Sequence, residues 1–181
     1  SIGEKSFYNC YVFQGEFKIP SMCSSIGMSS FYNCSSFDLL NLKLNDKIKR
    51  IYENTFYNCS GFKNELIIPK SIMSIDDYSF YNCYNLIGDL NIPDTVELIG
   101  IGAFYNCSGF NKELHLPSNI TKIKRESFYN CYSFIGSLII PNLVVSIEAY
   151  SFYNCFNFNE LLSIPNSAIL IEEHAFENCF G

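Results

Sequence analysis

Four residues, Phe-Tyr-Asn-Cys, recur along this chain at Phe7 to Cys10, Phe31 to Cys34, Phe56 to Cys59, Phe80 to Cys83, Phe104 to Cys107, Phe128 to Cys131 and Phe152 to Cys155, with an altered copy at Phe176 to Cys179. The motif cysteines follow one another at intervals of 24, 25, 24, 24, 24, 24 and 24 residues. A period of that length, kept throughout, restricts the chain to a stack of like units, each burying its apolar face only against its neighbours. Residues 1–181 are therefore expected to form one repeat domain with an irregular 25-residue repeat at 34–58. The pattern starts and stops inside a repeat, as in a segment of a longer array.

With the cysteine as position zero, position +3 is aromatic or leucine, as at Phe62, Leu86, Phe110 and Phe134. Apolar residues alternate at +7 and +9, as in Leu66 and Ile68 or Leu90 and Ile92, and period-two alternation over a short run is a half-buried strand. Proline follows at Pro20, Pro69, Pro93, Pro117, Pro141 and Pro165, where the missing N–H ends a ladder. The second repeat carries Asn45 instead and one extra residue, which predicts a local bulge. Apolar residues return at +13 and +16, predicting a second, shorter strand or extended segment. A small residue then precedes each phenylalanine, in a stretch long enough for one helical turn. The recurrent asparagine has two structural readings: it closes that turn in the left-handed conformation, or its amide bonds along the stack.

Eight of the nine cysteines, Cys10, Cys34, Cys59, Cys83, Cys107, Cys131, Cys155 and Cys179, share one repeat position. Equivalent side chains of stacked strands run parallel, roughly 4.8 Å apart, an arrangement that does not meet the torsion of a disulfide. They are expected as a ladder of buried thiols, and Cys23, at +13 where other repeats carry isoleucine, valine or alanine, as a small buried hydrophobe. Without a Cys-x-x-Cys pair, nothing starts a zinc site.

The sequence of elements Leu-x-Ile-Pro, Val/Ile, Ile, then Ala/Ser-Phe-x-x-Cys resembles the BspA-like leucine-rich repeats across nearly the whole chain. The resemblance implies a right-handed, curved leucine-rich-repeat solenoid of short parallel β-strands joined by one-turn helices or turns, here in about seven to eight repeats. It also implies a secreted or cell-surface protein of bacteria or protists engaged in adhesion. The chain departs from the pattern in its 24-residue unit, its aromatic +3 position and its irregular second repeat.

Catalysis has no visible constellation: the two histidines, His115 and His174, fall in different repeat columns, and no phosphate loop or nucleophile turn is present. No cofactor is expected. A net charge of −6 with scattered basic residues disfavours nucleic acid, and no apolar run reaches the length of a membrane span. Binding then falls to outward residues. If +7 and +9 face the core, +6 and +8 face out, giving a sheet face of Glu16, Lys18, Lys43, Glu65, Asp89, Glu113 and His115. Its consecutive carboxylates would bind a cation or a basic partner, or form a solvated column. The second candidate is the ladder Tyr8, Tyr32, Tyr57, Tyr81, Tyr105, Tyr129 and Tyr153, either a contact surface for a protein or glycan or a lateral stack covering the core. Two repeat types alternate in the middle of the chain, Ser-Gly-Phe after Cys59 and Cys107 and Tyr-Asn-Leu or Tyr-Ser-Phe after Cys83 and Cys131, which duplication alone explains. Asn119 is a possible glycosylation site; the sequons at Asn33, Asn58 and Asn106 use the motif asparagine. Open ends of the stack also suit self-association into a spacer or fibre.

Overall fold

The computed structural model describes residues 1–12, 18–36 and 44–179, and within them the chain coils as a parallel β-solenoid with a 24-residue turn. Its strands are two residues long and fall in two columns. One column comprises β1 (Arg50–Ile51), β2 (Ser74–Ile75), β4 (Leu98–Ile99), β6 (Lys122–Ile123), β8 (Ser146–Ile147) and β10 (Leu170–Ile171). The other comprises β3 (Leu90–Asn91), β5 (Leu114–His115), β7 (Leu138–Ile139) and β9 (Leu162–Ser163). Every strand pair is parallel and joins residues one repeat apart, such as Ser74 with Leu98 and Leu90 with Leu114. The stretch expected as a lesser strand thus supplies the more regular column. From β1 to β10 the coil makes about five turns, somewhat fewer than the repeats counted in the sequence.

The Phe-Tyr-Asn-Cys segment is a run of tight turns and not a helix. In the fourth repeat the N–H groups of Ser79, Tyr81 and Cys83 donate to the carbonyls of Asp76, Tyr78 and Phe80, each three residues back. Left-handed residues separate these turns at Tyr78 (φ 54°) and Asn82 (φ 57°), and both columns repeat through the chain. The asparagine is well suited to that conformation, and its amide also donates to the side-chain oxygen of the asparagine one turn earlier, as from Asn106 to Asn82 at 3.0 Å and from Asn154 to Asn130 at 2.9 Å. Both structural roles open to it in the sequence are filled at once.

Side-chain columns hold the turns together. The motif phenylalanines from Phe31 to Phe152 are fully buried and stack with centroids 5.3–5.6 Å apart. Ile75, Leu90, Val96 and Ile99 are equally buried and fill the remaining core. At Pro20, Pro69, Pro93, Pro141 and Pro165 the proline opens a turn in which the +13 N–H donates to its carbonyl, as from Ile72 to Pro69. Asn45 does this work without proline: its side-chain oxygen accepts from the Lys47 N–H, and its amide donates to the carbonyls of Pro20 and Cys23. By Leu44 and Ile48, both buried, register is restored, so the extra residue is absorbed before Leu44; the predicted bulge itself lies outside the described residues.

Strand pairing lapses once in both columns. Among the described residues β4 is not paired with β6, nor β5 with β7. Across that seam the turn segments remain bonded, with Gly102, Phe104 and Asn106 donating to the carbonyls of Arg125, Ser127 and Tyr129.

Candidate functional site: two outward faces on a thiol-bonded core

The motif cysteines face the core as free thiols, buried from Cys34 to Cys179 and half-buried at Cys10. Each thiol from Cys34 onward donates to the phenylalanine carbonyl of the preceding turn, at 2.9–3.1 Å. That carbonyl also accepts the N–H of the cysteine in its own turn, as Phe56 does from Cys59, so the thiol fills its second acceptor position and ties one turn to the next. Burial pushes the thiols of Cys59, Cys83, Cys107, Cys131 and Cys155 well up, so they stay protonated and act as donors. Cys23 is buried as expected, with its thiol on the Ser25 carbonyl.

The seven tyrosines form a continuous stack. Their centroids are 4.4–4.8 Å apart with interplanar angles of 1–14°. Neighbouring rings occupy each other's faces, leaving ring edges and hydroxyls along the surface. Burial raises the phenols of Tyr57, Tyr105 and Tyr129 above their ordinary value. In the last turn Glu177 takes the tyrosine's place and pairs with His174, whose ring stacks on Tyr150 at 4.8 Å.

The second face is the β3–β5–β7 strand column. Leu90, Leu114 and Leu138 point inward, whereas Glu65, Asp89, Asn91, Glu113 and His115 are exposed. Three adjoining depressions of about 480, 440 and 340 Å³ run between these side chains and the proline turns, and His115 lines all three. Lys70, Asp94 and Ser118 form the far rim. The three carboxylates do not converge: Asp89 accepts from the Glu113 N–H at 3.1 Å, Glu113 lies 3.3 Å from His115, and Glu65 packs beneath Gly88. Among the described residues no group of three or more His, Cys, Asp or Glu side chains is placed to hold a metal ion. Lys18 is exposed; Glu16 and Lys43 lie outside the described residues. Asn119 is exposed on a proline turn, its amide donating to the Asp94 carbonyl at 2.8 Å. No helix among the described residues is long and apolar enough to cross a membrane.

Reasoning from the repeat did not anticipate the carboxylates that cap backbone amides between turns. Asp77 accepts from the Ile101 N–H, Glu148 from Arg125 and Glu172 from Ala149. Buried Asp76 pairs with Arg50 at 2.6 Å and lifts the guanidinium's already high pKa. None of these residues recurs at every repeat, so periodicity carried no signal for them.

The BspA type leucine rich repeat region, in 6 copies, matches residues 1–135 and 86–181. Among solved structures, a leucine-rich repeat protein from Bacteroides ovatus ATCC 8483 superposes with a TM-score of 0.83 at 27% identity over 94% of this chain. A leucine rich cell surface protein from Faecalibacterium prausnitzii A2-165 (TM-score 0.61, 22% identity, 98% of this chain) and a T. pallidum leucine rich repeat protein (0.65, 22%, 94%) share the fold. The chain spans 43%, 60% and 65% of those three chains, respectively. No curated protein matches it. With repeat-family matches that together run from residue 1 to residue 181, the chain belongs to the BspA-type leucine-rich-repeat family.

Proposed function

We propose that this chain is a non-enzymatic region of a secreted or cell-surface protein and presents an extended face for contact with a protein or glycan partner in adhesion. The observation that carries the reading is the continuous shallow groove along the strand face, open to solvent and lined by Asp89, Asn91, Glu113 and His115. A groove running across successive turns suits an elongated partner. The hydroxyl edge of the tyrosine stack is a second strip available for contact. The test is binding of the purified chain to arrays of immobilised extracellular-matrix proteins and glycans, with Asp89→Lys/Glu113→Lys alongside. At least one immobilised component should bind and lose affinity with the double variant. Binding to none, or unchanged binding, rejects the groove.

A second reading, a spacer or a subunit that stacks end to end, draws on the strand ladders, in which every pair is parallel and in register one repeat apart, a pattern that another copy can continue. Sedimentation velocity separates the two: a monomer at all concentrations favours the contact surface, and growth into filaments favours assembly.

A further inference from the structure

The alternation of two repeat types has a structural role on the strand face. In the repeats after Cys59 and Cys107 position +6 is glutamate, Glu65 and Glu113, and in those after Cys83 and Cys131 position +5 is glycine, Gly88 and Gly136. Both glycines are left-handed, at φ 84° and 80°, and each lies against the glutamate of the turn before. A Cβ on Gly88 would come within 2.8 Å of Glu65 Cγ, and one on Gly136 within 3.5 Å of Glu113 Cγ. The following turn holds each glycine in place, since the N–H groups of Gly88 and Gly136 donate to the side-chain oxygens of Asn111 and Asn159 at 3.1 and 3.0 Å. The 48-residue super-repeat thus seats two equivalent carboxylate stems on one face, two turns apart.

The acidic groups of this face are positioned through contacts with neighbouring residues. Asp89 accepts from the Glu113 N–H at 3.1 Å, Asp94 from the Ser118 N–H at 2.7 Å and Glu160 from the Ser137 hydroxyl at 3.0 Å. Together with Glu65 and Glu113 they line the three adjoining depressions, where Lys70 and His115 are the basic residues. The groove is therefore negative along its length. Ile67 and Ile139, 63% and 48% exposed, line its two outer depressions.

This lining selects the occupant by charge. An anionic partner would be repelled, and among the described residues no phenylalanine or tyrosine lines the depressions to stack on a sugar ring. An extended polypeptide carrying lysine or arginine answers each feature. Its cationic heads meet the carboxylates, its aliphatic stems and apolar side chains cover Ile67 and Ile139, and Asn91, Ser118 and Asn142 offer hydrogen bonds to its amides. We infer that the groove docks a lysine- or arginine-rich extended segment of a protein, an inference that rests on the surface-contact reading above and makes its partner cationic.

The experiment uses the whole chain and a fluorescein-labelled peptide of alternating lysine and serine with isoleucine at each end. Its glutamine and glutamate counterparts serve as comparisons, and spermine as an unlabelled competitor, all read by fluorescence anisotropy. The lysine peptide should bind, more weakly as salt is raised, and at least tenfold more tightly than the other peptides or spermine. Glu65→Gln/Glu113→Gln, which keeps both stems on their glycines, should weaken it at least tenfold. Asp89→Lys/Glu113→Lys should bind the glutamate peptide in place of the lysine one. Glu4→Lys/Glu97→Lys makes the same change of net charge at exposed positions away from the groove and should leave affinity unchanged. The inference is overturned if the lysine peptide fails to bind, if the glutamine peptide or spermine binds as well, or if the groove variants weaken binding no more than Glu4→Lys/Glu97→Lys. If the lysine peptide fails while Asp89→Lys/Glu113→Lys still loses array binding, the cationic segment falls and the contact-surface reading stands; if both fail, both fall.

Discussion

The thiol of Cys83 donates to the carbonyl of Phe56, one turn earlier, at 3.1 Å. Replacing Cys83 by alanine removes this donor and opens a small cavity, leaving the Phe56 carbonyl with the Cys59 N–H alone. The expected loss is about 0.5–1.5 kcal/mol, measured as a lower urea midpoint with an unchanged slope. Cys10→Ala, whose residue is half-buried at the first turn, should lose clearly less; equal losses would mean that the bond contributes nothing.

The same burial controls reactivity and alkaline stability. Cys59, Cys83, Cys107, Cys131 and Cys155 should resist a thiol reagent until the chain unfolds, with Cys10 modified first. Because their folded pKa values lie above the unfolded thiol value of about 8.5, the folded state holds more protons, and stability falls as pH rises past that value. The phenols of Tyr57 and Tyr105, raised by burial, act in the same direction at higher pH. A thermal midpoint constant from pH 7 to 10 would contradict this.

Asn106 combines a left-handed backbone (φ 54°) with an amide bond to Asn82. Asn106→Gly keeps the backbone freedom and loses the amide, whereas Asn106→Ala loses both. Alanine should therefore be the more destabilising by about 1 kcal/mol, read from paired denaturation curves, and equality would show that backbone strain is absent.

Gly100 sits against the backbone of Asp76 and Asp77, where a Cβ would overlap. Gly100→Ala should push neighbouring turns apart and lower stability by about 1–3 kcal/mol. Gly3→Ala, whose Cβ would meet only the Ser6 hydroxyl at 3.2 Å, serves as the tolerated comparison in the same thermal melt.

Replacing Tyr81, Tyr105 and Tyr129 together by serine separates contact from cover. If the hydroxyl edge meets the partner, affinity for an array-identified partner should drop at least tenfold while the chain remains folded by circular dichroism. Unchanged affinity removes the tyrosine edge from the contact surface.

Period and alternation made much of this architecture legible before any coordinates. The inward leucine and isoleucine columns, the phenylalanine and cysteine ladders and the proline corners each repeat at fixed spacing, and each occupies the expected place. The turn geometry was less visible. Position −5 is left-handed at Lys5, Ser29, Tyr78, Glu126, Tyr150 and His174, residue types that do not announce that conformation; only Asn54 and Gly102 in that column are suggestive. A run of tight turns and one helical turn also demand the same small residue before the phenylalanine, so the sequence pattern could not choose between them. The outward residues were legible as a column but not as partners, because contacts such as Asp89 with the Glu113 N–H or His115 with Glu113 depend on rotamers that periodicity does not encode.

The lapse in strand pairing after β4 and β5 has a consequence for how the coil yields. Phenylalanine and tyrosine rings, the motif-turn bonds and a backbone bond from the Ile135 N–H to the Lys112 carbonyl cross that line, but neither strand ladder does, so the motif edge is the one most heavily tied there. Under load along the axis, or during slow amide exchange, the first and second halves should separate as distinct cooperative blocks. The tied edge then serves as the spine about which they part.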